Sequence, residues 1–318
     1  MRLALLLAAG PALLGCTELD ALQGSAPALP WSPVAPRLLM SSGDGDPYSA
    51  VVRLAGGALE LTTDLPRATA DCDMGQPACA DQDRDGLVDE WEDLVLDRFR
   101  PFVRIDEGDP LRVDGEARVG SIGRVAPVVD PTGRPGVRVF LVLGYSRDYG
   151  RCTFGDHLGD SERVALDLSV GPGGAVRVVR AYTAAHEGTS RDTGRRFDGD
   201  LGETLEYADD PVTGEPRWAV YASRSKHATY ASRAMCEENR SWIFCGDEEC
   251  AAGRSLEPPN ELLMPVVNAG EPDAPLEVEM MGEPAWEAVD FCGGLGHLDG
   301  DCASPLREKL LYDPFLDP

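Results

Sequence analysis

The segment Asp81-Gln82-Asp83-Arg84-Asp85-Gly86-Leu87-Val88-Asp89-Glu90-Trp91-Glu92 spaces oxygen donors in the order a hard divalent cation requires. Carboxylates stand at its positions one, three, five, nine and twelve, from Asp81, Asp83, Asp85, Asp89 and Glu92. The backbone carbonyl of Leu87 serves position seven, and Gly86 at position six permits the sharp turn. Glu92 is set to bind through both oxygens from the first turn of a following helix. A merely solvated acidic turn needs neither that glycine nor that last glutamate, so the segment reads as a calcium loop. Cys72 and Cys79 stand where a paired loop would have its incoming helix, which suits a constitutive staple better than a sensor.

A second constellation begins at His157-Leu158-Gly159-Asp160-Ser161-Glu162. If the strand expected from Val164 to Val170 extends back to residue 160, period two puts Asp160 and Glu162 on the core-facing side with Val164, Leu166, Leu168 and Val170. Inward carboxylates are costly to bury unless a cation or protons neutralise them. The turn Gly171-Pro172-Gly173-Gly174 then pairs Val170 with Val176, Leu168 with Val178 and Val164 with Tyr182, which sets Asp160 opposite His186. Leu166 against Arg180 is the one mismatch in this register. The expected ion is calcium or magnesium, with zinc as the remaining option; the plainer alternative pairs these histidines with acids at strand ends. His227, in Ser225-Lys226-His227-Ala228 after a strand, is a secondary candidate for the same cleft.

Phe99 through Glu107, then His157-x-Gly159-Asp160-x-Glu162, then Val220 through Tyr230 resemble the vacuolar-protein-sorting sixty-two-like family, an ordered series of short matches over roughly residues 94 to 300. That family implies no established activity. The His-x-x-Asp-x-Glu spacing is also similar to the Gly-His-Arg-His-Asp-Trp-Glu heptapeptide of necrosis-inducing proteins, secreted β-sandwiches that use a divalent cation to engage sphingolipid headgroups. His157, Asp160 and Glu162 match that motif, and Asp148 and His186 correspond more loosely to its other site residues. Ser161 in place of the tryptophan, and Leu158-Gly159 in place of Arg-His, touch the lipid specificity more than the cation site.

These side chains need a scaffold, and the apolar pattern supplies one. Val51 to Leu54 and Ala58 to Leu61 flank Ala55-Gly56-Gly57 as a hairpin, and Trp91, Leu94, Val95 and Phe99 recur at helical spacing from Glu90 until Pro101 stops the run. Beyond it the period becomes two, at Val137 to Leu143, Val164 to Val170, Val176 to Tyr182 and Trp218 to Ala222. The expected fold is mainly β: a β-sandwich with one short amphipathic helix and disulfide-pinned loops.

The amino terminus points to export. Arg2, the apolar Leu3 to Ala9 and Leu13-Leu14-Gly15-Cys16 resemble a bacterial lipoprotein signal, with Cys16 the lipidated residue and Thr17 fitting outer-membrane sorting. The other eight cysteines then suggest four disulfides, with Cys72 to Cys79 and Cys292 to Cys302 as short loops and the remaining pairings open. The chain divides into a signal at 1–15, a Pro- and Ala-rich tether at 16–48, a hairpin, calcium loop and helix at 49–100, and the sandwich at 101–318. With 29 basic against 55 acidic residues among 318, the net charge of −26 repels nucleic acid, and the membrane is reached through the lipid.

No Gly-x-Ser-x-Gly elbow, His-Glu-x-x-His helix or phosphate-cradling glycine loop with lysine occurs. The functional expectation is a lipid-anchored envelope protein, of the outer membrane, that binds an anionic or glycosylated ligand such as a glycan or lipid headgroup. The alternatives are a metal-dependent hydrolase of phosphodiester or glycan bonds and a purely structural lipoprotein.

Overall fold

The computed structural model describes residues 37–38 and 51–55, most of residues 58–270, and residues 290–291, 304–305, 309–310 and 313–316. In chain order its strands are β1 (Arg37–Leu38), β2 (Val51–Ala55), β3 (Ala58–Thr62), β4 (Phe102–Ile105), β5 (Val119–Val129), β6 (Pro135–Arg151), β7 (Phe154–Val170) and β8 (Val176–Thr183). They continue with β9 (Arg195–Asp198), β10 (Glu206–Asp209), β11 (Pro216–Ala222), β12 (Thr229–Tyr230), β13 (Glu261–Leu263), β14 (Val266–Asn268), β15 (Asp290–Phe291) and β16 (Ser304–Pro305). Helix α1 spans Asp89–Phe99 and a shorter α2 spans Arg233–Glu238.

The fold is mainly β, as the alternating pattern implies. The larger sheet runs β1-β14-β5-β6-β7-β8-β3-β2, with β9 on β8, and the smaller runs β10-β11-β4-β13, with β12 on β11. β2 pairs antiparallel with β3, Ala55 opposite Ala58, and Gly171 donates its amide to the Ala175 carbonyl at 2.7 Å where the second hairpin was expected. β6 and β7 are each 17 residues long, well beyond the apolar runs that announce them. Their extensions carry glycines and charges, which period counting does not score as strand.

The β7–β8 register corrects the simple count. Val170 pairs with Val176 and Leu168 with Val178, but a bulge between Asp167 and Leu168 moves the ladder by one, so Asp167 meets Arg180 and Val164 meets Thr183. The bulge replaces the Leu166–Arg180 mismatch with an ion pair, since Arg180 Nε donates to Asp167 Oδ2 at 2.8 Å. The register that would set Asp160 opposite His186 does not survive it; β8 ends at Thr183, and Asp160 pairs across β6 with Tyr145 instead.

Helix α1 joins the two sheets through one core. Trp91, Val95, Leu96 and Phe99 are buried with Val125, Leu141, Val164 and Leu166 of the larger sheet and Val103, Ile105, Trp218 and Val220 of the smaller. Polar bonds reinforce both sides: Asn268 Nδ2 donates to Asp93 at 2.9 Å, Arg217 donates to the Asp97 carbonyl, and Trp218 Nε1 donates to the Phe99 carbonyl. Gly123 lets the helix approach, because a Cβ there would lie 2.5 Å from Leu96 Cδ2 and 3.0 Å from Leu141 Cδ2.

A second helix, α2, is added to the one expected, and a disulfide from Cys236 to Cys250 ties it down. Cys72 bonds Cys79 as anticipated, while Cys152, Cys245, Cys292 and Cys302 lie outside the described residues, as does Cys16 with the signal and most of the tether. No helix among the described residues is long and apolar enough to cross a membrane.

Gly123→Val adds an isopropyl group, Cβ and two methyls, against the buried Leu96 and Leu141. It is expected to lower unfolding free energy by about 2–3 kcal/mol, read from the denaturant midpoint, whereas Val129→Ala on an exposed side chain leaves it unchanged.

Candidate functional site

The acidic loop folds as its spacing dictates. Gly86 adopts φ 94°, open to glycine and strained for other residues, and the chain then enters α1 at Asp89. Asp81 Oδ2 accepts the Gly86 amide at 3.2 Å, and Asp85 Oδ1 accepts the Leu87 amide at 2.6 Å. Leu87 forms an antiparallel bridge with Ala68, the Val88 amide bonds the Arg67 carbonyl at 2.9 Å, and the Thr69 amide bonds the Gly86 carbonyl at 3.1 Å. A short strand-like pairing with residues 67–69 therefore backs the loop where a second loop would otherwise sit.

Two overlapping triads result, Asp81 with Asp83 and Asp89, and Asp83 with Asp85 and Glu92. In each, one ligand oxygen per residue lies within 4.8 Å of the others. Asp83, Asp89 and Glu92 are buried. The arrangement suits a cation that takes six to eight oxygens, and these are the groups of this kind among the described residues.

A second charged centre lies between the sheets, with His227 at its middle. Its Nδ1 is 3.1 Å from Asp160 Oδ2 and its Nε2 is 3.6 Å from Asp109 Oδ1. The ring stacks on Tyr145 with centroids 4.2 Å apart and planes 15° apart, and neither His227 nor Asp109 reaches solvent. The tip of the β11–β12 hairpin delivers the imidazole. Ser225 and His227 both take positive φ, 69° and 55°, a conformation unfavourable to residues other than glycine and held here by surrounding bonds. The Ser225 amide donates to Asp109 Oδ2 at 2.7 Å, the Tyr149 amide donates to the Ser225 carbonyl at 2.9 Å, and the Thr229 amide donates to the Ala184 carbonyl at 3.0 Å.

Burial opposes charge on His227, but the contacts with Asp109 and Asp160 outweigh it and raise the imidazole from 6.5 to about 9. Burial, then the charges of Asp160 and Glu162, hold the Tyr145 hydroxyl well above its ordinary value. At neutral pH the centre is a carboxylate–imidazolium–carboxylate row, so His227 supplies the positive charge that Asp160 needs.

Of the expected second-site residues, Asp160 and Glu162 share the inner face of β7 and are buried. Asp148 is also buried, yet it stands three positions from Tyr145 on β6, an odd step, and Tyr145 is the residue opposite Asp160. Alternation therefore turns Asp148 to the other face of the ladder, where its backbone partner is His157. His157 is described in its backbone alone, and His186 lies outside the described residues. The secondary candidate, His227, is the one placed against Asp160. Spacing gives no reason to single out Asp109; the available signal is Asp106-Glu107-Gly108-Asp109 directly after β4, where Asp106 Oδ1 accepts the Gly108 amide at 2.7 Å and the turn sends Asp109 inward.

No family model, curated protein or solved structure matches the chain.

An imidazole near 6.5 when unfolded and about 9 when folded stabilises the fold fully below pH 6.5, and that contribution is lost as pH rises through 9. Denaturant midpoints followed from pH 6 to 10 are expected to fall across this window. His227→Gln, unable to carry the charge, is expected to flatten that fall and to cost about 3 kcal/mol at pH 6.

Proposed function

We propose that the chain is a calcium-stabilised, lipid-anchored binding protein of the bacterial cell envelope. The observation that carries the reading is the convergence of Asp81, Asp83, Asp85, Asp89 and Glu92 in two triads sharing Asp83, around a turn that needs Gly86. Those residues fit calcium in type and number: hard carboxylate oxygens, with the Leu87 carbonyl for position seven and Glu92 on the first turn of α1. Calcium there would offset part of the cluster's negative charge and fix the head of α1, the element packed against both sheets. Since a strand-like bridge from residues 67–69 backs the loop and the Cys72–Cys79 disulfide stands just ahead of it, its role is that of a staple, and extracellular modules of this kind bind at about 10⁻⁴ to 10⁻³ M.

The anchor rests on the lipobox-like Leu13-Leu14-Gly15-Cys16, and outer-membrane placement on Thr17. The ligand class, an anionic or glycosylated surface, rests on the likeness of His157, Asp160 and Glu162 to the cation-holding heptapeptide. The second cation of that likeness has a competitor, because His227 already offers Asp160 a positive charge. With His227 in that place, Asp160 serves neither a cation-mediated ligand contact nor a metal-dependent hydrolase, and metal-dependent turnover of phosphodiester or glycan substrates by the purified protein would overturn the binding-module reading.

Titration calorimetry on the mature chain is expected to find one calcium per molecule. Asp83→Asn with Glu92→Gln is expected to abolish the heat, and chelator is expected to lower the melting temperature of the wild type while leaving that variant unmoved. Unchanged melting with chelator, or calcium uptake by the double variant equal to the wild type, refutes the staple.

A further inference from the structure

The outer face of the larger sheet gathers one arginine from each of five neighbouring strands, Arg124 of β5, Arg138 of β6, Arg163 of β7, Arg180 of β8 and Arg196 of β9. In a chain of net charge −26 this is a concentrated basic surface, and the C-terminal segment lies across it. Arg163 donates to the Lys309 carbonyl at 2.9 Å, Arg124 to the Leu310 carbonyl at 3.0 Å and Arg196 to the Leu316 carbonyl at 2.8 Å. Asp313 pairs with Arg138. Phe315 sits under two guanidiniums, 4.9 Å from Arg138 and 4.5 Å from Arg180, and meets Tyr182 edge-on at 6.5 Å.

This hold is built for recognition. Guanidinium forks take a carboxylate, backbone carbonyls and an aromatic face, the three things arginine binds best. Asp313 Oδ1 also accepts the Phe315 amide at 2.8 Å, so the Asp-Pro-Phe stretch presents its carboxylate and ring together as a preformed unit. Among the described residues of the segment, Leu310 and Phe315 bring the apolar contact. Asp167, wedged between Arg138 and Arg180, accepts hydrogen bonds from both guanidiniums from within the sheet itself.

We propose that this face is a peptide-docking groove for an acidic-aromatic segment, an aspartate two residues ahead of a phenylalanine, which the chain's own residues 309–310 and 313–316 fill in cis and a segment of the same chemistry from a partner protein can displace. The proposal does not rest on the calcium reading, since the groove lies on the face of the sheet opposite α1.

A fluorescent peptide of the sequence 307–318, titrated with the full chain, tests it. The Asp313→Ala, Phe315→Ala double variant, its own segment weakened, is expected to bind at least tenfold more tightly than the wild type. Adding Arg180→Gln, or changing the peptide's phenylalanine to alanine, is expected to abolish binding. In the wild type carrying a fluorine label on Phe315, excess peptide is expected to shift the fluorine resonance to its solvent-exposed position, a readout that needs no destabilised variant. Equal binding by wild type and double variant, equal binding of the alanine peptide, or an unmoved fluorine signal at saturating peptide overturns the proposal.

Discussion

A carboxylate taken out of water needs a counter-charge within a few ångströms, and this acidic chain meets that constraint at each layer of its fold. Between the sheets, His227 stands between Asp109 and Asp160. On the outer face, Asp167 stands between Arg138 and Arg180, and at the end of α1 Arg217 pairs with Asp210 at 2.8 Å. In the loop ahead of α1 five carboxylates crowd together, and the counter-charge that suits their oxygen geometry is a divalent cation. The same requirement thus produces an ion pair, a guanidinium sandwich and a metal-site candidate, according to which partners each backbone position can reach.

The consequences run through the architecture. Because α1 packs on both sheets, whatever fixes the loop at its head also fixes how the sheets meet. The imidazolium is a second link of the same kind, for Asp109 follows β4 and His227 follows β11 in the smaller sheet, while Asp160 belongs to β7 in the larger. Such a buried row adds little net stability over an apolar one, but it disfavours any packing that separates its members. The positive φ of Ser225 and His227 is the local strain accepted to form it.

Much of the fold was legible because periodicity and turn chemistry are local. The antiparallel pairs β2–β3 and β7–β8, the helix ending before Pro101 and the strands through Val139, Leu166, Val178 and Val220 all sit where the pattern puts them. The extensions of β6 and β7 were not legible, since Gly144 and Asp156 do not favour strand and are held there by pairing with the partner strand. Helix α2 was missed because six residues are too few for a period to declare itself.

By itself the sequence determined the acidic loop, because all its ligands lie within twelve consecutive residues and one glycine sets the turn. The inward direction of Asp160 and Glu162 follows from alternation only once β7 reaches back to residue 160, an extension that the ladder with β6 supplies. Only the tertiary structure decided what neutralises Asp160, because His227 and Asp109 arrive from two other strand ends whose separation in the chain carries no trace of their meeting. It also decided the register, since the gain from setting Asp167 between two arginines is a cross-strand energy, and no count along a single strand contains it.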